Sequence, residues 1–226
     1  MVSHEIMPGV FINAGIISHY FECQDCHVIF QNPRMSDEEL DKFYEEDYYR
    51  RLLNLTDKER DEDEMNRAEF DSKIIKEHLG EIESHLDIGC SRGFLLDKVA
   101  AKFKTGVETS INQVIVTGVE VYTTIDQILK AQKTFDLITM IHTLEHVPYP
   151  IDYLENIVKL VKKDGYLIIE VPTWKSPGGP LRLPHLFHFE PDVLKLICQR
   201  VGLKVSHVQF TPHLMLICRV GLSNVT

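Results

Sequence analysis

Residues 85–93, His-Leu-Asp-Ile-Gly-Cys-Ser-Arg-Gly, have the residue types and spacing of a strand that turns into a helix around a ligand. Gly89 and Gly93 let the backbone approach that ligand closely, Ser91 is small, and the following helix offers free N–H groups. In open α/β sheets, ligands bind at this turn. The spacing lacks the dinucleotide fingerprint and any phosphate-binding lysine. Asp87, at the end of the strand, therefore favours a cationic ligand such as a sulfonium compound.

Glu108 stands at the end of the next predicted strand. An acidic side chain in that position is placed to hydrogen-bond both ribose hydroxyls of a nucleoside. The glycine turn and Glu108 together predict a nucleoside site at one edge of a sheet.

The elements that must position these residues alternate between strands and helices from about residue 65 onwards. We expect strands that end near Ile88, Val107, Tyr122, Met140 and Val171, followed by strands over 203–210 and 213–219. Helices are predicted over 94–103 and 191–201, and another carries Leu154, Ile157, Val158 and Val161 on one face. This pattern is typical of an α/β fold with a mostly parallel seven-stranded sheet and helices on both faces. The last two strands form a hairpin, which makes the last strand antiparallel.

Residues 1–55 lack this alternation and are predicted to be an N-terminal extension, which leaves 56–226 as the main domain. Ser36 and Glu39 have the spacing of a capping box at a helix start. The charged run over 57–64 is interpreted as a solvated helix start or linker.

Composition narrows the function further. The chain has 226 residues, 44% of them hydrophobic, and a formal net charge of −10. An acidic chain repels phosphate backbones, so we expect no nucleic-acid partner. No apolar run is long enough for a membrane span, and no signal peptide is seen, so we expect a cytoplasmic protein without a membrane partner.

These motifs resemble the class I S-adenosylmethionine-dependent methyltransferases, whose first motif has the form D-x-G-x-x-x-G. The likeness is strongest to the branch with ubiquinone-type O-methyltransferases and sugar C-methyltransferases. Residues 135–138 with 144–147, residues 160–172 and residues 185–189 match its later motifs. Residues 23–49 match the N-terminal extension of the sugar C-methyltransferases. The resemblance implies a Rossmann-like methyltransferase sheet and S-adenosylmethionine as the cofactor.

On this resemblance, a set of residues from four strand ends is expected to bind the cofactor: Asp87, Gly89, Ser91, Gly93, Glu108, Thr109, Thr123, Ile141 and His142. Ser91 replaces a second glycine that many members have. Thr123 stands near the position where the family often has an acidic residue on the adenine amino group. Residues 110–118 are short for a helix, which predicts a more open adenine edge.

Methyl transfer to oxygen or carbon requires removal of a proton, so a general base helps. His146 is the candidate base, because it follows the fourth strand, where acceptors lie, and Glu145 would orient it or act as the base itself. Alternatively, both residues only shape a turn. His185 and His188 could line the acceptor pocket or pack a loop, and Tyr44 and Tyr49 could form a lid or pack the extension.

Cys23 and Cys26 form a C-x-x-C pair without the second pair that a structural zinc site needs. We therefore expect no bound metal, and interpret the segment as a degenerate zinc module.

Three functions stay open at this stage. The first is methylation, at oxygen or carbon, of a small polar acceptor such as a sugar or related metabolite, by a chain that could form a homodimer. The second is O-methylation of a quinone or lipid precursor. The third is a catalytically weak binding or regulatory subunit that keeps the fold.

Overall fold

The computed structural model describes residues 3–10, 17–45, 56–173, 185–210 and 212–221. The strands are β1 (Ser3–Val10), β2 (Ile17–Cys23), β3 (Ile29–Gln31), β4 (Ile82–Ile88), β5 (Ala101–Val107), β6 (Glu120–Tyr122), β7 (Phe135–Ile141), β8 (Val161–Val171), β9 (Phe187–His188), β10 (Leu203–Gln209) and β11 (Leu214–Val220). The helices are α1 (Asp37–Glu45), α2 (Asp57–His78), α3 (Phe94–Lys98), α4 (Ile125–Lys130), α5 (Pro150–Val158) and α6 (Pro191–Arg200).

The larger sheet has seven strands in the order β10-β11-β8-β7-β4-β5-β6. The pairs from β8 to β6 are parallel, whereas β11 is antiparallel to both β8 and β10. The structure therefore confirms the predicted mostly parallel sheet with an antiparallel last strand.

Both faces of this sheet are covered, because its strands alternate apolar side chains between two cores. Leu86 and Ile138 belong to the core that includes residues of α4, α5 and α6. Leu137 and Ile168 belong to the core that includes residues of α2 and α3. Two cores on opposite faces are what a parallel sheet with crossover helices requires.

Two predicted boundaries are wrong. Helix α3 ends at Lys98, not at Phe103, because the chain from Ala101 is needed as β5, which pairs with β4 from Ile82 to Ile88. Helix α5 ends at Val158, and Val161 already belongs to β8, where it pairs with Phe135. In both places, backbone pairing along the full length of a neighbouring strand decided against a longer helix.

The N-terminal segment forms a second, four-stranded sheet in the order β1-β2-β3-β9. Its last strand, β9, comes from the C-terminal half of the chain and pairs with β3 through Ile29 and His188. The hydroxyl of Tyr20 donates to the carbonyl of His185 over 3.2 Å. These contacts join the extension to the segment that follows residue 184.

The predicted capping box of α1 is present. The Ser36 amide donates to the Glu39 carboxylate over 2.8 Å, and the Glu39 amide donates to the Ser36 hydroxyl over 3.2 Å. The predicted domain boundary at 55/56 borders residues 46–55, which lie outside the described residues, and stays a prediction. Among the described helices, none combines the length and the apolar character that crossing a bilayer requires.

Candidate active site

A cavity of about 960 Å³ opens at the carboxyl ends of the parallel strands. Most of the predicted site residues line it: Asp87, Gly89, Ser91, Glu108, Thr109, Thr123, Ile141, His142, Glu145, His146 and His185. Four strand ends bring them together, because parallel strands present their carboxyl ends at one edge.

Two other predicted residues, Gly93 and His188, do not line this cavity, and two more lie wholly or partly outside the described residues. Gly93 lies behind the turn and precedes α3. His188 is buried in β9, where it pairs with the extension, so its position agrees with the alternative of loop packing. Tyr44 belongs to α1, but its side chain lies outside the described residues, as does Tyr49 altogether.

The turn after β4 requires glycine for two reasons. Gly89 has φ +76° and Gly93 has φ +85°, both in the left-handed region that other residues rarely adopt. A Cβ at Gly89 would also lie 2.4 Å from the hydroxyl oxygen of Thr143, which donates to the carbonyl of Ile88 over 2.9 Å. The turn thus exposes bare backbone to the cavity.

Glu108 is held in place by the backbone around it. One carboxylate oxygen accepts the Ser91 amide over 3.0 Å, and the other accepts the Ser110 amide over 3.0 Å and the Thr109 hydroxyl over 3.2 Å. A carboxylate offers about four lone-pair sites, so it retains capacity for a ligand hydroxyl. The carboxylate is thus oriented before any ligand arrives.

Helix α2 closes the cavity from above, and the sequence did not reveal this role. Arg60 is only 13% exposed and donates to the hydroxyl of Ser91 over 3.0 Å and to Gln113 over 3.2 Å. Glu64 accepts from Arg60 over 2.8 Å and from the Ser91 hydroxyl over 3.2 Å. The run over 57–64 does begin the helix, as predicted, but its inner face contacts the glycine turn instead of solvent.

Asp87 lies on a buried polar chain under the turn. Its carboxylate accepts the hydroxyl of Thr139 over 2.6 Å, and that hydroxyl lies 2.8 Å from Nε2 of His85. Burial raises the pKa of Asp87 to about 7 and lowers the pKa of His85 to about 3. A positively charged ligand above the turn would favour the ionised form of Asp87.

The far end of the cavity is lined by His142, Glu145, His146 and His185, which follow β7 and residue 184, and Glu170 of β8 is buried beside His142. His142 lies between two buried carboxylates, with Nδ1 3.6 Å from Glu145 and Nε2 3.2 Å from Glu170. His146 Nε2 lies 3.7 Å from Glu145, and its ring meets the ring of His185 edge-on at 4.9 Å between centroids.

Burial dominates the electrostatics of this end. It raises the pKa of Glu145 to about 8 and lowers the pKa of His142 well below its ordinary value. The pKa of Glu170 is also raised by burial. Neither carboxylate oxygen of Glu145 has a hydrogen-bond partner within the described residues. Perturbed groups of this kind, gathered in one cavity, are typical of functional sites.

The segment over 110–118 does not form a full helix, as predicted. Between β5 and β6 the chain forms only one 3-10 turn, Ile111–Gln113, and Ile111 and Ile115 remain exposed. Thr123 lines this end, where its hydroxyl donates to Gln127 over 3.2 Å and keeps its oxygen lone pairs available.

Cys23 and Cys26 lie at the turn between β2 and β3, far along the chain from this cavity. Within the described ranges, no group of three metal-ligating side chains includes either cysteine. The rings of Phe21 and Phe30, 6.2 Å apart, pack this small sheet.

The family to which the chain belongs agrees with the cofactor that the site residues predict. A family described as a methyltransferase domain matches residues 40–208, so the chain belongs to this family. The chain is therefore a methyltransferase enzyme, and S-adenosylmethionine is its methyl donor. No curated protein matches the chain.

Solved structures share the fold at low sequence identity. The 1,6-didemethyltoxoflavin-N1-methyltransferase of Burkholderia thailandensis is 21% identical, with a TM-score of 0.63, over 88% of this chain and 98% of that one. The mitomycin 7-O-methyltransferase MmcR is 15% identical, with a TM-score of 0.62, over 80% of this chain and 60% of that one. The magnesium protoporphyrin IX methyltransferase of Synechocystis PCC 6803 is 12% identical, with a TM-score of 0.59, over 81% of this chain and 100% of that one.

Proposed function

We propose that the enzyme methylates an oxygen or carbon atom of a small polar acceptor, such as a sugar or a related metabolite. The polar lining of the far end of the cavity carries this proposal. His146 and His185 line the cavity, and so do Asp152 and Asn156 from α5. Polar groups left without partners are costly to desolvate, so an acceptor with several hydroxyls matches this wall better than an apolar ring.

The cofactor end of the cavity matches the donor. Bound S-adenosylmethionine supplies an electrophilic methyl group on a sulfonium centre. Gly89 and Ser91 offer bare backbone to it, Glu108 accepts the ribose hydroxyls, and Asp87 contributes negative charge beneath its cationic part. Arg60, above the turn, is the cation best placed for a carboxylate.

His146 is the proposed general base. It is 16% exposed and lines the cavity, so an acceptor can reach its ring. Glu145, 1% exposed and 3.7 Å away, stabilises the imidazolium that forms when His146 takes the acceptor's proton. Burial raises the pKa of Glu145 to about 8, so this stabilisation becomes available as Glu145 ionises.

The neighbours named above act on dissimilar substrates, so the acceptor class must be measured. S-adenosylmethionine and S-adenosylhomocysteine are first titrated by calorimetry. Formation of S-adenosylhomocysteine is then followed with a panel of sugars and sugar nucleotides and with a panel of quinols and phenols. Glu108→Ala, which should bind the cofactor about 10- to 150-fold more weakly, gives the comparison rate for each compound at a cofactor concentration that does not saturate it.

We expect cofactor binding and turnover with hydroxylated polar compounds. Turnover with quinols or phenols alone would contradict the proposed polar acceptor and would assign an apolar acceptor to the enzyme. Tight cofactor binding without turnover on either panel would favour a regulatory subunit instead.

A further inference from the structure

We propose that His142, Glu170 and His213 bind one divalent transition-metal ion at the floor of the acceptor end. One nitrogen of each histidine and one carboxylate oxygen of Glu170 all lie within 4.8 Å of one another. His142 and Glu170 come from the ends of adjacent strands, and His213 precedes β11. Two imidazoles and one carboxylate on one side of an ion form a facial set that leaves coordination positions open.

The distance between two of the donor atoms fits a shared metal ion. Donors bound to one ion at about 2.1 Å lie roughly 3–3.5 Å from each other. Nε2 of His142 lies 3.2 Å from Oε1 of Glu170, yet neither atom has a hydrogen-bond partner within the described residues. Glu170 is 2% exposed, so water does not satisfy that oxygen. An ion would satisfy both atoms, and a small rotation of the partly exposed His213 would complete the set.

The groups behind the ligands support the same assignment. Histidines that bind metals almost always donate their other ring N–H to a carboxylate, a backbone carbonyl or water. Nδ1 of His142 faces the Glu145 carboxyl at 3.6 Å, which is longer than a hydrogen bond but places an acceptor on the side of the ring away from Glu170. The ring of His213 packs edge-on against His142, with 4.3 Å between centroids, so the two imidazoles already converge.

The local charge favours a cation. Asp71, Asp87, Glu145 and Glu170 are all buried at this edge of the sheet. The guanidinium of Arg67 opposes them, but it also lies 3.7 Å from Asp63, whose charge offsets it in part. A divalent ion would offset part of the negative charge that these carboxyls carry when they ionise.

The open positions of the ion would face the cavity that His142 and His213 line. An acceptor hydroxyl bound there would have a lowered pKa, and its proton would pass to His146 before the oxygen attacks the methyl group. The metal site therefore specifies the acceptor further, as a compound whose oxygen atoms can bind a metal ion. This statement about the acceptor rests on the proposed function, whereas binding of the ion does not.

Cobalt binding to the chelator-treated chain tests the site without any turnover. Co²⁺ is titrated in the absence of cofactor, and its visible absorption reports the geometry and the number of ions bound. We expect one Co²⁺ per chain, with binding weakened at least about 10-fold by Glu170→Gln and by His213→Asn. His78→Asn, which removes a histidine on α2 away from the cavity, should bind as the wild type does.

Circular dichroism shows whether each variant folds, and calorimetry with S-adenosylhomocysteine shows whether its cofactor end is intact. The wild type provides a test that does not depend on whether the variants fold. With Co²⁺ bound, its NMR spectrum should show two hyperfine-shifted imidazole N–H signals. Absence of saturable binding in the wild type, or binding in both variants as tight as in the wild type, would overturn the metal site and leave the proposed methyl transfer standing. If the wild type binds Co²⁺ as expected but does not bind the cofactor, the proposed methyl transfer is overturned and the metal site stands.

Discussion

At the scale of single residues, Glu108 orders the backbone around it and is also the proposed ligand of the ribose. Its carboxylate fixes the backbone at Ser91 and at Ser110, and it faces the cavity beside the glycine turn. Its position could be predicted because the local sequence is sufficient: an acidic residue directly follows an apolar strand. The two amides that orient it come from different loops, and no sequence pattern reveals them.

Replacement of Glu108 by Ala should weaken S-adenosylmethionine binding by about 1.5–3 kcal/mol, since charge-assisted hydrogen bonds are lost. This corresponds to roughly 10- to 150-fold in Kd. Calorimetry measures it, with Glu155→Ala, an exposed carboxylate on α5, as the control. Unchanged affinity in a folded Glu108→Ala protein would place the ribose elsewhere.

His146 is the residue on which turnover should depend most. Its substitution by Ala should lower kcat by about 10²–10⁴ and leave cofactor affinity nearly intact, because it faces the acceptor and not the glycine turn. The wild-type rate should rise with pH along a limb that the variant lacks. Parallel loss of thermal stability and cofactor affinity, with little loss of kcat, would instead assign His146 to shaping the turn after β7.

Residues that act through long-range contacts could not be predicted. Glu170 stands inside an apolar strand, and His213 follows a hairpin turn, so neither belongs to a recognisable motif. Glu170 meets His142 because β8 pairs with β7, and His213 joins them because β11 inserts beside β8. The same holds for Arg60, whose place in a charged run pointed to solvent.

At the scale of elements, the sheet could be predicted more reliably than the ends of its helices. Apolar runs and turn residues marked most of its strands, and the hairpin of the last two followed from their short connection. The ends of α3 and α5 are set by the residues that follow them, which pair with a neighbouring strand of the sheet. Competition of that kind is decided by tertiary pairing and not by local propensity.

Two glycines make a matched test of the turn after β4. Gly89 and Gly118 have similar φ angles, +76° and +74°, but a Cβ at Gly89 would strike Thr143, whereas one at Gly118 meets nothing within 4 Å. Gly118→Ala should therefore cost about 1–2 kcal/mol of stability from backbone strain alone. Gly89→Ala should cost more, and it should also abolish measurable cofactor binding, because Thr143 and the carbonyl of Ile88 must move.

Chemical denaturation gives the stability of both variants, and calorimetry gives their cofactor affinity. If Gly89→Ala loses no more affinity than Gly118→Ala, the cofactor does not approach the backbone at this turn.

At the scale of the whole molecule, one edge of the sheet concentrates ionisable groups that burial keeps neutral. The chain is acidic overall, and four of its carboxyl groups lie inside this edge: Asp71, Asp87, Glu145 and Glu170. Burial raises the pKa of every one of them. Burying these carboxyls costs stability in the protein without ligand. A bound cationic donor would favour their ionised forms.

This arrangement predicts how the stability of the cofactor-free, chelator-treated protein depends on pH. In the unfolded chain these carboxyls release their protons near pH 4, whereas Asp87 holds its proton until about pH 7 and Glu145 until about pH 8. The folded state therefore binds more protons over that window, and the free energy of unfolding falls as pH rises. Histidines with lowered pKa values, such as His85 and His213, act in the opposite direction, but only below about pH 6.5.

The melting temperature of the empty protein should consequently decline as the pH rises from about 6.5 to about 8.5. Asp87→Asn should flatten this decline, because the neutral amide cannot ionise, while Glu155→Gln on the surface should leave the slope unchanged. Saturating S-adenosylmethionine should reduce the decline in the wild type, since the sulfonium favours ionised Asp87. A melting temperature that rises over this range in all three proteins would show that these carboxyls are already ionised in the folded state.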